Sequence, residues 1–101
     1  MQENEKEKVL LIQLVLMFQT AALQHMGKLK NPLTDAIERD LPQARISIDM
    51  LEMLHAKMKG NLAEDEERIF SNVLQELRLN YVDEARKEPE QPPPSQSPAK
   101  Q

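Results

Sequence analysis

The stretch VLLIQLVLMF, Val9 to Phe18, constrains the fold most, because it is apolar throughout except at Gln13. Such a segment must be covered. Each buried leucine or isoleucine contributes roughly 1.5–3 kcal/mol, and an exposed cluster of them invites association. The following residues, QTAALQHMG, carry the pattern on to Gly27 without a helix breaker. A helix is therefore expected from about Lys8 to Met26, with Gly27 as a left-handed stop and Lys28 complementing the dipole just beyond it. On a helical wheel Gln13, Thr20 and Gln24 share one narrow strip, while nearly every other position from Val9 to Leu23 is apolar. A bundle helix buries a stripe of roughly 100° or somewhat more. This helix offers more than that.

Three environments can take such a helix: lipid, a secretion channel, or protein. A membrane span needs about 20 predominantly apolar residues. Gln13, Gln19, Thr20, Gln24 and His25 all fall within that length, so a span is not expected. As a signal peptide over residues 1–21 the segment has suitable lengths and small residues at Thr20, Ala21 and Ala22. Its lead-in, MQENEKEK, carries three glutamates against two lysines, where a signal peptide wants a positive start. Cleavage near Ala21 would also leave two helices and a tail, too little for a core. Protein cover is the reading that remains.

The rest of the chain has matching punctuation. Asn31-Pro32 excludes continuous helix at residue 31, and a short helical turn is expected near Thr34 to Glu38. Asp40-Leu-Pro-Gln43 reads as an N-cap with glutamine at N3 and proline in the first turn, opening a second helix over about 41–59 that stops at Gly60. The acidic run EDEE at 64–67 suits a third helix start. Of the two cap candidates, Asn61 and Ala63, only Asn61 has a side chain for the task. The third helix, 64–86, carries Phe70, Val73, Leu74, Leu77 and Tyr81 on one stripe. Short connections make antiparallel neighbours, so the fold class is all-α: a small three-helix bundle of antiparallel hairpins over residues 9–86. Residues 1–8 form a charged lead-in. Five of the seven prolines lie between residues 89 and 98. With no apolar side chain to bury, the tail 87–101 is expected to be disordered. Its Pro92–Pro94 run lacks a PxxP context with flanking aromatics.

Composition removes several functions. A net charge of −4 disfavours nucleic acid, which needs a basic face. The absence of cysteine excludes disulfides, thiol catalysis and thiolate metal sites. His25 in a last helical turn suits the dipole. Met50, Met53, His55 and Met58 suggest a soft-metal set, but Met50 and Met53 fall on another helix face from His55 and Met58, so methionine as core filler is preferred. Ser47 and Ser71 have no nucleophile-elbow context, and no phosphate loop or zinc motif is present. Lys28, Lys30, Lys57 and Lys59 are read as dipole complements at helix ends. No catalytic, cofactor-binding or metal residues are assigned.

The stretches LVLMFQTAALQHMGK at 14–28, Asn31-Pro32, ARISIDMLEMLHAKMKGNL at 44–62, EDEER at 64–68 and LQELRLNYV at 74–82 resemble a bacterial family, domain of unknown function 1844. The resemblance covers about residues 10–84. It implies a small helical cytoplasmic protein with no assigned reaction. The family typically has threonine where this chain has Ala63 and Met58, and a glycine in the connection 28–40 that is missing here.

The function expected is a non-enzymatic interaction or assembly module. It would self-associate, most simply as a dimer, or bind a helical partner through Leu10, Leu11, Leu14, Val15 and Phe18. A peripheral membrane protein is the alternative, but the polar strip lacks the lysine and arginine typical of interfacial helices.

Overall fold

A computed structural model describes residues 3–87. Three α-helices account for most of them: α1 (Glu3–Met26), α2 (Leu41–Lys57) and α3 (Glu64–Arg86). Of the expected disordered tail, 87–101, all but Lys87 lies outside the described residues. Helix α1 begins earlier than the apolar pattern, at Glu3, so the described part of the charged lead-in is its first turn and a half. Glu3 and Glu5 there favour the positive end of the helix dipole.

Ion pairs fix the direction of the helices. Lys8 meets Asp65 at 2.6 Å, near the starts of α1 and α3, while Lys28 meets Glu84 at 3.1 Å near their ends. Helices α1 and α3 are therefore parallel. Between α2 and α3 the pairs run the other way, His55 with Glu67 and Arg78 with Glu52, so α2 is antiparallel to both. The order is up, down, up.

Each helix gives one stripe to a common core. Val15, Ala22 and Met26 come from α1, Ala44, Ile48 and Leu51 from α2, and Phe70, Val73, Leu74 and Leu77 from α3. Leu11, Phe18, Leu23, Leu54, Met58 and Tyr81 are partly buried against it.

The helix ends combine expected and unexpected features. Gly27 has φ +87°, and Lys28 N–H donates to Leu23 C=O (2.9 Å) while Gly27 N–H donates to Gln24 C=O (3.0 Å). This is a Schellman closure. Asp40 caps α2 by accepting from Gln43 N–H at 3.1 Å, with Pro42 in the first turn. Helix α2 ends two residues before expectation, at Lys57. Met58 to Asn61 form a tight turn closed by Asn61 N–H donating to Met58 C=O (2.9 Å), with Gly60 at φ +88°.

Asn61 lies in this turn, two residues before the position from which α3 starts, and does not cap it. The N-cap is Ala63, which has no acceptor to offer; only the reciprocal half of a capping box forms, with the Glu66 carboxylate accepting Ala63 N–H at 2.8 Å.

The connection 28–40 contains no helical turn at Thr34–Glu38. Instead it closes on Asn31, whose backbone pairs with Ala36 in an isolated bridge and whose Oδ1 accepts Leu33 N–H at 2.9 Å. Asp35 takes φ +59°, a region that asparagine and aspartate tolerate better than most residues. Glu38 then ties the loop by accepting from Asn31 Nδ2 and Thr34 Oγ1, both at 2.9 Å. Asparagine side chains compete with the backbone in this way, and here they outweigh the helix propensity of the segment.

Candidate interaction surface

Helix α1 presents two unlike faces. At about 100° per residue, Leu11, Val15, Phe18, Ala22 and Met26 fall together on the side toward α2 and α3. Val15 is 2% exposed. Of the residues expected at a partner surface, Val15 is thus part of the bundle's own core, and Leu11 and Phe18 are partly buried against it. The run is not surplus on this side, because the two neighbouring helices already cover it. Leu10 and Leu14 do point outward, and Val9, Leu16 and Met17 join them; Leu10 is 53% and Met17 67% exposed.

The strip of Gln13, Thr20 and Gln24 runs down the middle of the outward face. On one side of it stand Val9 and Leu16, on the other Leu10, Leu14, Met17 and Ala21. A shallow groove lined by Gln13, Leu16, Met17, Thr20, Ala21 and Gln24 follows the strip. By length and composition α1 is apolar enough to cross a membrane, despite its polar interruptions. Only 17% of that apolar window is buried in the bundle. A core helix or a signal sequence can share this composition. A second exposed apolar row, Ile46, Met50 and Met53, lies on α2.

Two polar clusters tie the bundle together. At the pole where α1 and α3 end, the Glu84 side chain is 11% exposed. Its Oε2 meets Lys28 Nζ and Lys87 Nζ, each at 3.1 Å, and its Oε1 meets Arg39 Nη2 at 3.3 Å. Arg39 also donates to two backbone carbonyls, Glu84 O at 2.8 Å and Met26 O at 3.3 Å. Burial pushes the Glu84 carboxyl up, but hydrogen bonds from Lys28 and Lys87 more than reverse this and leave it below the ordinary carboxylate value. Sequence reading missed Glu84. A signal was present, since residue 84 continues the spacing of Leu77 and Tyr81 along the core stripe.

At the other pole His55 Nε2 lies 2.9–3.0 Å from the Glu67 carboxylate oxygens. Ser71 Oγ donates to the same carboxylate at 2.8 Å, and the imidazole packs on Phe70 in a tilted arrangement, 33° between ring planes and 4.9 Å between centroids. The Ser71 hydroxyl and then His55 hold the Glu67 carboxyl low.

His55 is turned to Glu67, while Met50 and Met53 are exposed on the opposite side of α2. Among the described residues no group of three or more histidines, cysteines or carboxylates is placed to hold a metal. His25, in the last turn of α1, has a buried Nδ1 with no hydrogen-bond partner among the described residues.

No curated protein matches this chain, and no solved structure does. Residues 8–84 match the family described as a domain of unknown function (DUF1844). With that match spanning all three helices, from Lys8 on α1 to Glu84 on α3, the chain belongs to this family.

Proposed function

We propose that the protein is a non-enzymatic helical interaction module, and that the outward face of α1 is where its partner docks. The observation that carries this is the exposure of Val9, Leu10, Leu14, Leu16 and Met17 on a single helix side. An apolar cluster of this kind, divided by a narrow polar strip, is characteristic of a protein interface or a ligand groove. The polar clusters support the reading from the other direction, since each ties parts of the bundle together through its ion pairs and hydrogen bonds.

A photo-crosslinking residue placed at Met17 in living cells tests the proposal. Discrete protein adducts are expected at Met17 and not at Leu33, which is 93% exposed on the loop. Equal diffuse labelling at the two sites would overturn it.

The apolar length of α1 favours a second reading, attachment to a lipid surface. Gln13, Thr20 and Gln24 weigh against it, because an interfacial helix usually carries lysine or arginine on its polar side. Flotation of the purified protein with anionic vesicles decides between the two. Protein that stays at the bottom of the gradient excludes the lipid reading.

A further inference from the structure

We infer that the occupant of the α1 face is a second copy of this chain, with its α1 antiparallel and in one defined register. The inference rests on the interaction reading above and adds partner, direction and pairing to it.

Leu10, Leu14, Met17 and Ala21 follow one another at spacings of four, three and four, which is the seam of a two-stranded coiled coil. All but Ala21 are exposed large side chains, and Ala21 lines the groove beside Met17. Continued in both directions, the same row starts with Glu3 and Glu7 and closes with Gln24 and, just past the Gly27 stop, Lys28.

The row is complementary to itself when reversed. Setting Leu14 against Met17 of the second copy also sets Leu10 against Ala21, large against small. The same register brings Glu7 to Gln24 and Glu3 to Lys28, acid against amide and acid against base. Lys28 already bridges Glu84 and Asp83 of its own chain, at 3.1 and 3.6 Å.

A parallel pairing would instead stack Glu3 on Glu3 and Glu7 on Glu7, like charges that repel. It would also align the two helix dipoles, which the antiparallel arrangement opposes. Beside the seam, Gln13 of one copy falls close to Thr20 of the other, where amide and hydroxyl can pair.

The second exposed row of α1, Val9 and Leu16, serves less well. Its continuation at Leu23 is already packed against the core.

The absence of native cysteine makes the register directly readable. Leu10→Cys and Ala21→Cys are made separately in the full chain, and each is oxidised alone and in a mixture. The antiparallel dimer predicts disulfide-linked chains only in the mixture. Efficient linkage of Leu10→Cys to itself means a parallel pairing and overturns the stated direction.

Light scattering on the unmodified chain, from micromolar to about 200 µM, supplies the mass. A dimer is expected. Met17→Glu should weaken it at least about a hundredfold, since a carboxylate would lose its water without gaining a partner. Leu33→Glu should leave the mass unchanged. Circular dichroism of both variants shows whether the fold persists, and an unfolded Met17→Glu is replaced by Met17→Gln, expected to weaken the dimer less.

A monomer throughout the range overturns the second-copy inference. The interaction reading would then stand or fall on the Met17 adducts in cells.

Discussion

Replacing Glu84 by glutamine should cost about 2–3 kcal/mol, although the change is nearly isosteric. The carboxylate accepts from Lys28, Lys87 and Arg39 at 3.1–3.3 Å, and its side chain is only 11% exposed. Removing one partner of a well-buried ion pair typically costs about 3–5 kcal/mol. Here the cations are wetter. The side chains of Lys28 and Lys87 are 29% and 59% exposed and can turn to water, which lowers the expected loss. Arg39 cannot leave easily, since its bonds to Met26 O and Glu84 O hold it in place. Glutamine would offer Arg39 an oxygen but turn an amide NH2 toward two ammonium groups, donor against donor. In a domain of this size each kcal/mol shifts Tm by about 4–8 °C, so a drop of about 10–20 °C is expected. Urea titration followed at 222 nm, at one fixed protein concentration, measures it without the confusion of a concentration-dependent Tm. A double-mutant cycle with Lys28→Met should show coupling between the two sites. A loss below about 0.5 kcal/mol would refute the reasoning, because it would mean that desolvating Glu84 costs as much as its partners return.

Both glycines with positive φ can be tested by alanine. Gly60 has φ +88° with open space where a Cβ would sit, so Gly60→Ala should cost only the backbone term, about 1 kcal/mol. At Gly27 the new Cβ would also lie 3.2 Å from Arg39 Cδ, and Gly27→Ala should lose more in the same titration. Acid should destabilise the fold through Glu84 and Glu67, whose folded-state carboxyls titrate below their ordinary value of 4.5. Their contribution is complete above that value and is lost as pH falls through the lowered folded values. Melting between pH 6 and 3 should show this loss, and Glu84→Gln should make the acid limb shallower. Truncation after Lys87 should leave helicity and Tm unchanged, as judged by circular dichroism; a large loss would show that the proline-rich segment packs on the bundle.

The helices were legible because their period, their stops and one cap are local signals. Asp40 with Pro42, Gly27 and the stripe from Phe70 to Tyr81 each point to one structure without help from distant residues. The cap of α3 was not legible. Asn61 is the better capping residue by chemistry, but the turn after Met58 places it two residues ahead of the helix start, and only the closure of that turn shows which residue α3 starts from. The outward side of α1 was hidden for a related reason. With apolar residues almost all round, the wheel identifies the polar strip but not which apolar row the other helices claim. Val15 and Leu14 are neighbours of similar character, and tertiary contact alone separates them. Glu84 is the same case in reverse, a charge on a core stripe whose meaning depends on Lys28 and Arg39 arriving from elsewhere in the chain.

The parallel course of α1 and α3 governs how the bundle would carry force. Glu3 begins α1 at one pole and Lys87 follows α3 at the other, about 35 Å away for a helix of 23 residues. Tension applied between these two points would pull α1 and α3 lengthwise past each other. Core contacts and the pairs Lys8–Asp65 and Lys28–Glu84 would be loaded together in shear instead of being peeled apart one at a time. An up-down hairpin with both ends at one pole would unzip under the same pull. Under a pull between Glu3 and Lys87 the bundle would thus resist as one unit and give way all at once.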